Sequence, residues 1–287
     1  MPTVTDEHSY LFQADVLAHG LLYAKSPPMR DFFQTEYIIN NGKWYSKYTI
    51  GWPILLAAGK LIGADFLPGA FCTALSLVLI YMTGKKLFSP ICGFIASILA
   101  LISPYFFMQG MTFFPHTASG LFMMLFIYSF LHLDEKEGIV FPLLTGFSPA
   151  YMAFIRPQDG LLACFSMFPA VVYYYLKSGN KKLLIKKYII AVAVLVFVVF
   201  LLLLVNKAQT GEFFKFGFNE YSSKEKWGFG PKDHTPLKGL WNVFFTYARA
   251  AFWLVPFTGL FTVISIFRKD FKTVVLTMPI ITFTLFY

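Results

Sequence analysis

The sequence predicts an all-α protein, a polytopic bundle of transmembrane helices with an external loop built around an amphipathic helix. Three observations predict it. Of 287 residues, 57% are hydrophobic and 20% aromatic, and the mean hydropathy is +0.61, well above the apolar share of a soluble domain. Charged residues make up only 14% and sit in short islands between apolar runs, which excludes a soluble core under a charged surface. The third is the polar stretch from Met1 to about Gly51, which no bilayer could hold. The three cysteines, Cys72, Cys92 and Cys164, lie inside apolar runs and behave as small hydrophobes, so no disulfide or metal framework follows from them.

From Thr5 the apolar positions Tyr10, Ala14, Leu17 and Leu21 recur at helical spacing, which predicts an amphipathic helix lying on a membrane surface. Thr5 is placed to cap it, Asp6 and Glu7 fall in the first turn, where the helix dipole favours carboxylates, and Gly20 closes it. Lys25 to Pro28 and Asn40 to Lys43 are turn and loop chemistry. Gly51 to Gly63 is apolar but too short to span, and reads as a second interfacial helix. Spans are expected at Phe66 to Leu87, Ile91 to Phe107, His116 to Leu133, Phe141 to Ile155, Leu161 to Leu176, Tyr188 to Val205 and Ala248 to Phe267, with an incomplete one at Val274 to Tyr287. With neither signal peptide nor span before the polar start, and a partial span at the end, the chain reads as a fragment lacking its first span and its C-terminal part.

The net charge of +9 is a matter of topology and lipid headgroups before it is one of nucleic acid. Lys85-Lys86, Lys136, Lys177 to Lys187 and Arg268-Lys269-Lys272 fall on one side of the predicted bundle, which the positive-inside rule makes cytoplasmic. The link Ser103 to Pro115, on the opposite side, has no Lys or Arg. Asp6, Glu7, Lys47, His116, Arg156, Gln158, Asp159, Asn206 and His234 then gather at the external face, and no ionisable residue sits at the centre of a span, where a transporter would more often bury one.

Asp6-Glu7 opening a helix, then Lys47-Tyr48-Thr49-Ile50-Gly51-Trp52-Pro53, then a span closed by Gly84-Lys85-Lys86, resembles the polyprenyl-phosphate-sugar-dependent glycosyltransferases of the GT-C fold, which include protein O-mannosyltransferases and lipid A aminoarabinose transferases. Phe154-Ile155-Arg156-Pro157, Asn206 to Gly211 and Trp227-Gly228-Phe229-Gly230 extend the likeness along nearly the whole chain. It departs where relatives carry a first span before the acidic pair, a second carboxylate near the position of His116, and Lys-Pro-Pro in place of Lys47-Tyr48-Thr49.

The resemblance implies transfer of a sugar from a polyprenyl phosphate to a glycan, lipid or protein acceptor outside a bacterial plasma membrane, with inversion. A positioned carboxylate would take the acceptor's proton. Asp6 is that candidate, with Glu7 secondary. A fixed cation would meet the charge on the departing phosphate. Arg156 and Lys47 are the candidates there, although Arg156 could equally snorkel to headgroups. Tyr48, His116 and Gln158 complete the expected binding residues. Asp6, Glu7, His8 and His116 could in principle hold a divalent ion, but their spacing is not diagnostic, and no other cofactor motif is present. Residues 1–63 are thus expected to be an extracytoplasmic catalytic loop, and 64–287 a transmembrane domain with an external loop at about 206–247. A transporter or flippase of lipid-linked precursors is the main alternative, a membrane scaffold the third.

Overall fold

The computed structural model describes residues 2–133, 138–221, 241–246, 248–249 and 271–286. His234, the Trp227 to Gly230 motif, Lys136, Arg268-Lys269 and nearly all of the expected span at 248–267 lie outside these residues.

The chain opens with α1 (Thr5–Ala18). Val4, in extended conformation, occupies the cap position, so Thr5 is the first helical residue and not the cap. The start is secured instead by Glu7, whose Oε2 accepts from the Thr3 N–H (2.6 Å) and the Thr3 hydroxyl (3.1 Å). The far end closes at Gly20, with φ 76°, a left-handed conformation that costs glycine nothing. Tyr10 and Ala14 of the expected apolar stripe are buried. A polar stripe is buried as well: the Ser9 hydroxyl bonds Tyr37 O and Ser46 Oγ, and the Gln13 amide bonds Leu22 O and the Ser46 N–H.

Those partners belong to a small antiparallel sheet in the order β1-β3-β2, with β1 Ala24–Lys25, β2 Ile38–Asn40 and β3 Lys43–Ser46. The β2–β3 connection is Asn41-Gly42, where Gly42 takes φ 106°. The register sets Ile39 opposite Tyr45 and Asn40 opposite Trp44. Next, α2 (Gly51–Leu61) packs on α1, and Lys60 pairs with Asp15 at 2.6 Å.

The remaining described helices are α3 (Leu67–Leu87), α4 (Pro90–Leu101), α5 (Pro104–Gly110), α6 (His116–Phe130), α7 (Val140–Ile155), α8 (Pro157–Lys177), α9 (Lys181–Thr210), the short α10 (Gly217–Tyr221) and α11 (Phe271–Phe286). Among the described residues, α3, α8 and α9 are long and apolar enough to cross a membrane. The span expected at 91–107 is instead the pair α4 and α5, bent by 67°. Ser103 precedes Pro104 in an extended conformation and caps α5 with its side chain, because the residue before proline is driven out of the helical region. The Lys-rich link is also shorter than expected, residues 178–180, since Lys181, Lys182, Lys186 and Lys187 already lie on α9. Lys187 is buried and its ammonium donates to Leu133 O just past α6.

In the bundle α7 packs between α6 and α9, α6 packs on α3, and α8 on α7 and α11. One core joins it to the first segment: Tyr10, Trp52 and Leu56 share a cluster with Phe122, Met152 and Met167. Outward, Ile189, Val192, Val196, Phe197 and Phe200 of α9 are exposed, as expected of a helix facing lipid. At 30 residues, α9 is about 45 Å long and outlasts the roughly 30 Å hydrocarbon layer. Its last turn meets the sheet end of the molecule, where the Lys43 ammonium donates to Ala208 O (2.5 Å) and Gln209 to Leu22 O (3.0 Å).

Candidate active site

Arg156 stands at the sharp turn between α7 and α8. The dipeptide Arg156-Pro157 makes that turn: Arg156 is extended, φ −149° and ψ 114°, and at once ends α7 and begins α8, with Pro157 at the first helical position. Thr49 and Gly51 fasten the segment before α2 to the same spot. The Thr49 hydroxyl donates to Ile155 O (2.7 Å) and the Tyr151 hydroxyl to Gly51 O (3.0 Å). A Cβ on Gly51 would lie 2.4 Å from the Phe154 carbonyl carbon, so only glycine allows this approach.

This docking brings the first segment's polar residues to Arg156. Asp6 accepts a hydrogen bond from the Tyr48 hydroxyl. The Tyr48 ring stacks on Tyr10, centroids 4.6 Å apart, and the Arg156 guanidinium hydrogen-bonds the Tyr10 hydroxyl. Burial first, then the bond to Asp6, raises the Tyr48 pKa, and burial raises that of Tyr10 against the opposing pull of Arg156, so both phenols stay protonated at neutral pH. A carboxylate and a cation are thereby joined through two stacked tyrosines.

Glu7 points elsewhere. Besides Thr3 it accepts from the Phe113 N–H (2.9 Å), tying α1 to the segment before α6. Burial alone would raise its pKa, but the hydrogen bonds from Thr3 and Phe113 outweigh this and lower it. Lys47 is buried, 6% exposed, with its ammonium 4.0 Å from the centre of the Tyr37 ring and 5.0 to 5.2 Å from those of Tyr221 and Tyr48, a cation–π cage. Tyr37 holds φ 63° there.

Arg156 also lines a cavity of about 540 Å3 between α3, α5, α6, α8 and α11. His116, the first residue of α6, lines it and stacks on Phe114, whereas Gln158 is half-buried and does not line it. Asp159, Ser119, Gln109 and Thr117 do. Asp159 is 4% exposed and accepts from the Ser119 hydroxyl (3.0 Å). A second hollow, of about 800 Å3, runs along the apolar flank of α9 past Ile185, Val192 and Phe197 and offers a place for lipid rather than for polar chemistry. Asp6, Glu7, His8 and His116 do not converge as ligands, and no group of three His, Cys, Asp or Glu side chains suited to a metal occurs among the described residues.

Sequence reasoning assigned no role in the site to Tyr10 or to Asp159, although Asp159 stands among the polar residues expected at the external face. Tyr10 lies four residues after Asp6, on the same helix face, and was counted only as an apolar position. Asp159 follows Arg156 by three and reads as ordinary first-turn acid of α8.

Arg156 and Asp159 line a cavity whose walls are otherwise mostly apolar, and with the Tyr10, Tyr48 and Asp6 cluster beside it they form the candidate site. The model of the family described as dolichyl-phosphate-mannose-protein mannosyltransferase matches residues 48–205. That is more than half of the chain, and the chain belongs to this family of membrane glycosyltransferases. The match takes in Tyr48, His116, Arg156 and Gln158 and begins after Asp6, Glu7 and Lys47. Neither a curated protein nor a solved structure matches the chain.

Proposed function

We propose that the protein transfers a sugar from a polyprenyl phosphate to a hydroxyl of a glycan, lipid or protein acceptor at the extracytoplasmic surface, with inversion at the anomeric carbon. The observation that supports this reading is the linkage Asp6–Tyr48–Tyr10–Arg156, which connects the candidate proton acceptor to the candidate cation through two tyrosines.

In the proposed reaction the acceptor oxygen forms a bond to the anomeric carbon and its proton passes to Asp6. The bond from that carbon to the phosphate oxygen breaks on the opposite side, and its electron pair leaves with the lipid phosphate. Arg156 meets the charge in a water-poor setting where a fixed cation is most effective. Caged Lys47 is a second cation for the phosphate or for the acceptor. Tyr48 orients Asp6, and Glu7 holds α1 in place through Phe113. Among the described residues no group of His, Cys, Asp or Glu side chains is suited to a metal, and every proposed step is assigned to side chains of the chain.

The donor is tested by supplying full-length protein in bilayers with radiolabelled mannose either on dolichyl phosphate or on a guanosine diphosphate. Transfer from the lipid alone is expected. Transfer from the nucleotide sugar at a comparable rate would overturn the reading.

A further inference from the structure

We propose that the loop between β1 and β2 is a membrane anchor, whose tip residues Met29 and Phe32 enter the headgroup layer of the bilayer in which the chain is embedded and hold the sheet at that depth. The anchor acts in this way whatever donor or acceptor the enzyme uses.

Phe32 is 84% exposed and Met29 65%. They belong to a short 3-10 turn, Arg30–Phe33 with Met29 at its cap position, in which no residue is buried, and at three residues per turn they fall on one side of it. The turn is held in place from behind: Phe33 meets the Trp44 ring edge-on, centroids 6.2 Å apart, the Asn40 amide donates to Arg30 O (3.3 Å), and the Gly42 N–H donates to the Ser26 hydroxyl (2.9 Å). Large apolar side chains presented outward together on a fixed turn point to an interaction surface. Depth identifies the partner as lipid. The apolar run of α9 ends at Val205, and just beyond it the Lys43 ammonium donates to Ala208 O and the Gln209 amide to Leu22 O. That is about 5 to 6 Å further along the helix, inside a headgroup layer roughly 5 to 7 Å deep, so β1 and β3 stand at headgroup level. The lipid-facing flank of α9 reaches the same level. Phe200 and Leu204 are exposed, and after them Phe213 and Phe214; the Lys207 ammonium lies 4.6 Å from the Phe213 ring centre, and that of Lys43 4.7 Å from the Tyr23 ring centre. Exposed aromatic rings beside lysines at this depth have the composition of an interfacial belt, and the exposed Lys25 and Arg30 suit lipid phosphates. β3 runs straight into Lys47 and Tyr48, so the anchor sets the height of these residues above the bilayer.

The test places a bimane probe on a single cysteine, Phe32→Cys or Asp31→Cys, in the full chain freed of Cys72, Cys92 and Cys164 and held in phosphatidylcholine nanodiscs. Bimane at residue 32 should be quenched by phosphatidylcholine brominated near the headgroup and shielded from aqueous iodide. At residue 31, on another side of the turn, iodide should be the stronger quencher. Met29→Asp should shift the residue 32 probe from lipid quenching towards iodide quenching, and should leave Tm in detergent unchanged because so exposed a side chain adds little to the fold. Iodide quenching at residue 32 equal to that at residue 31 would leave the tip in water and overturn the anchor. Shielding from both quenchers would overturn it too, since a protein segment or a second copy of the chain would then cover the tip. Lipid quenching at both positions, unaltered by Met29→Asp, would assign the insertion to the probe and remove the role of the tip.

Discussion

Asp6 and Glu7 are adjacent in the chain and about 100° apart around α1, and the structure gives them unlike surroundings. Asp6 faces Tyr48. Glu7 is 2% exposed and its two oxygens hold Thr3 and the Phe113 N–H. The acidic pair was legible in the sequence, but its division of labour was not, because the partner that fixes Glu7 lies 106 residues away. Glu7→Gln places an amide N–H2 against at least one donor and should lower stability by about 1–3 kcal/mol at neutral pH. The folded-state pKa of Glu7 lies below its ordinary value of 4.5, so the ionised form stabilises the fold above that value, and this contribution is lost as pH falls through the folded pKa. Thermal unfolding in detergent should therefore show wild type and Glu7→Gln converging as the medium is acidified below pH 4.5. A gap that stays constant with pH would mean that the glutamate's charge is not what holds the contact.

Elements carry the same lesson one level up. The turn from α7 to α8 follows from Arg156-Pro157, a signal in the sequence, and it places the guanidinium at the site. Ser103-Pro104 gives the same signal, yet the continuous apolar run concealed the break between α4 and α5. The sheet was missed for another reason: strands of two to four residues are too short for alternation to show, and Asn40 to Lys43 was legible only as a turn. What makes these elements one site is the docking of α2 on the end of α7 through Gly51. Gly51→Ala should force the two apart, lowering stability by about 1–3 kcal/mol and reducing transfer further than that loss of folded protein explains, since Asp6 and Tyr48 would move relative to Arg156. Activity per folded molecule, counted by fluorescence-detected gel filtration, is the readout. Undiminished specific activity would show that the two helix ends need not meet.

For the whole molecule, the apolar runs and their charged ends made the membrane bundle readable, since hydropathy is a local property. The cavity was not, because Thr117, Gln109, Asp159 and Arg156 come from α5, α6 and the α7–α8 turn, and only packing brings them together. The fold sets Lys43, Asp6, His116 and Arg156 toward the end where α9 finishes, and Lys85, Lys86, Lys181 and Lys182 toward the other. By the bias of basic residues the first end should be outside. In a chain freed of Cys72, Cys92 and Cys164, a cysteine at Lys25 should react with an impermeant maleimide on intact cells, and one at Lys182 only after permeabilisation; the opposite pattern would invert the topology. The central claim is that Asp6 is the base of a sugar transfer. Asp6→Asn keeps an oxygen for the Tyr48 hydroxyl and removes the basicity. The direct measurement is sugar transfer from the lipid-linked donor by this variant and wild type at matched membrane levels. Loss of about a hundredfold or more is predicted, with Glu7→Gln, counted per folded molecule, milder; near-normal transfer by Asp6→Asn would contradict the account.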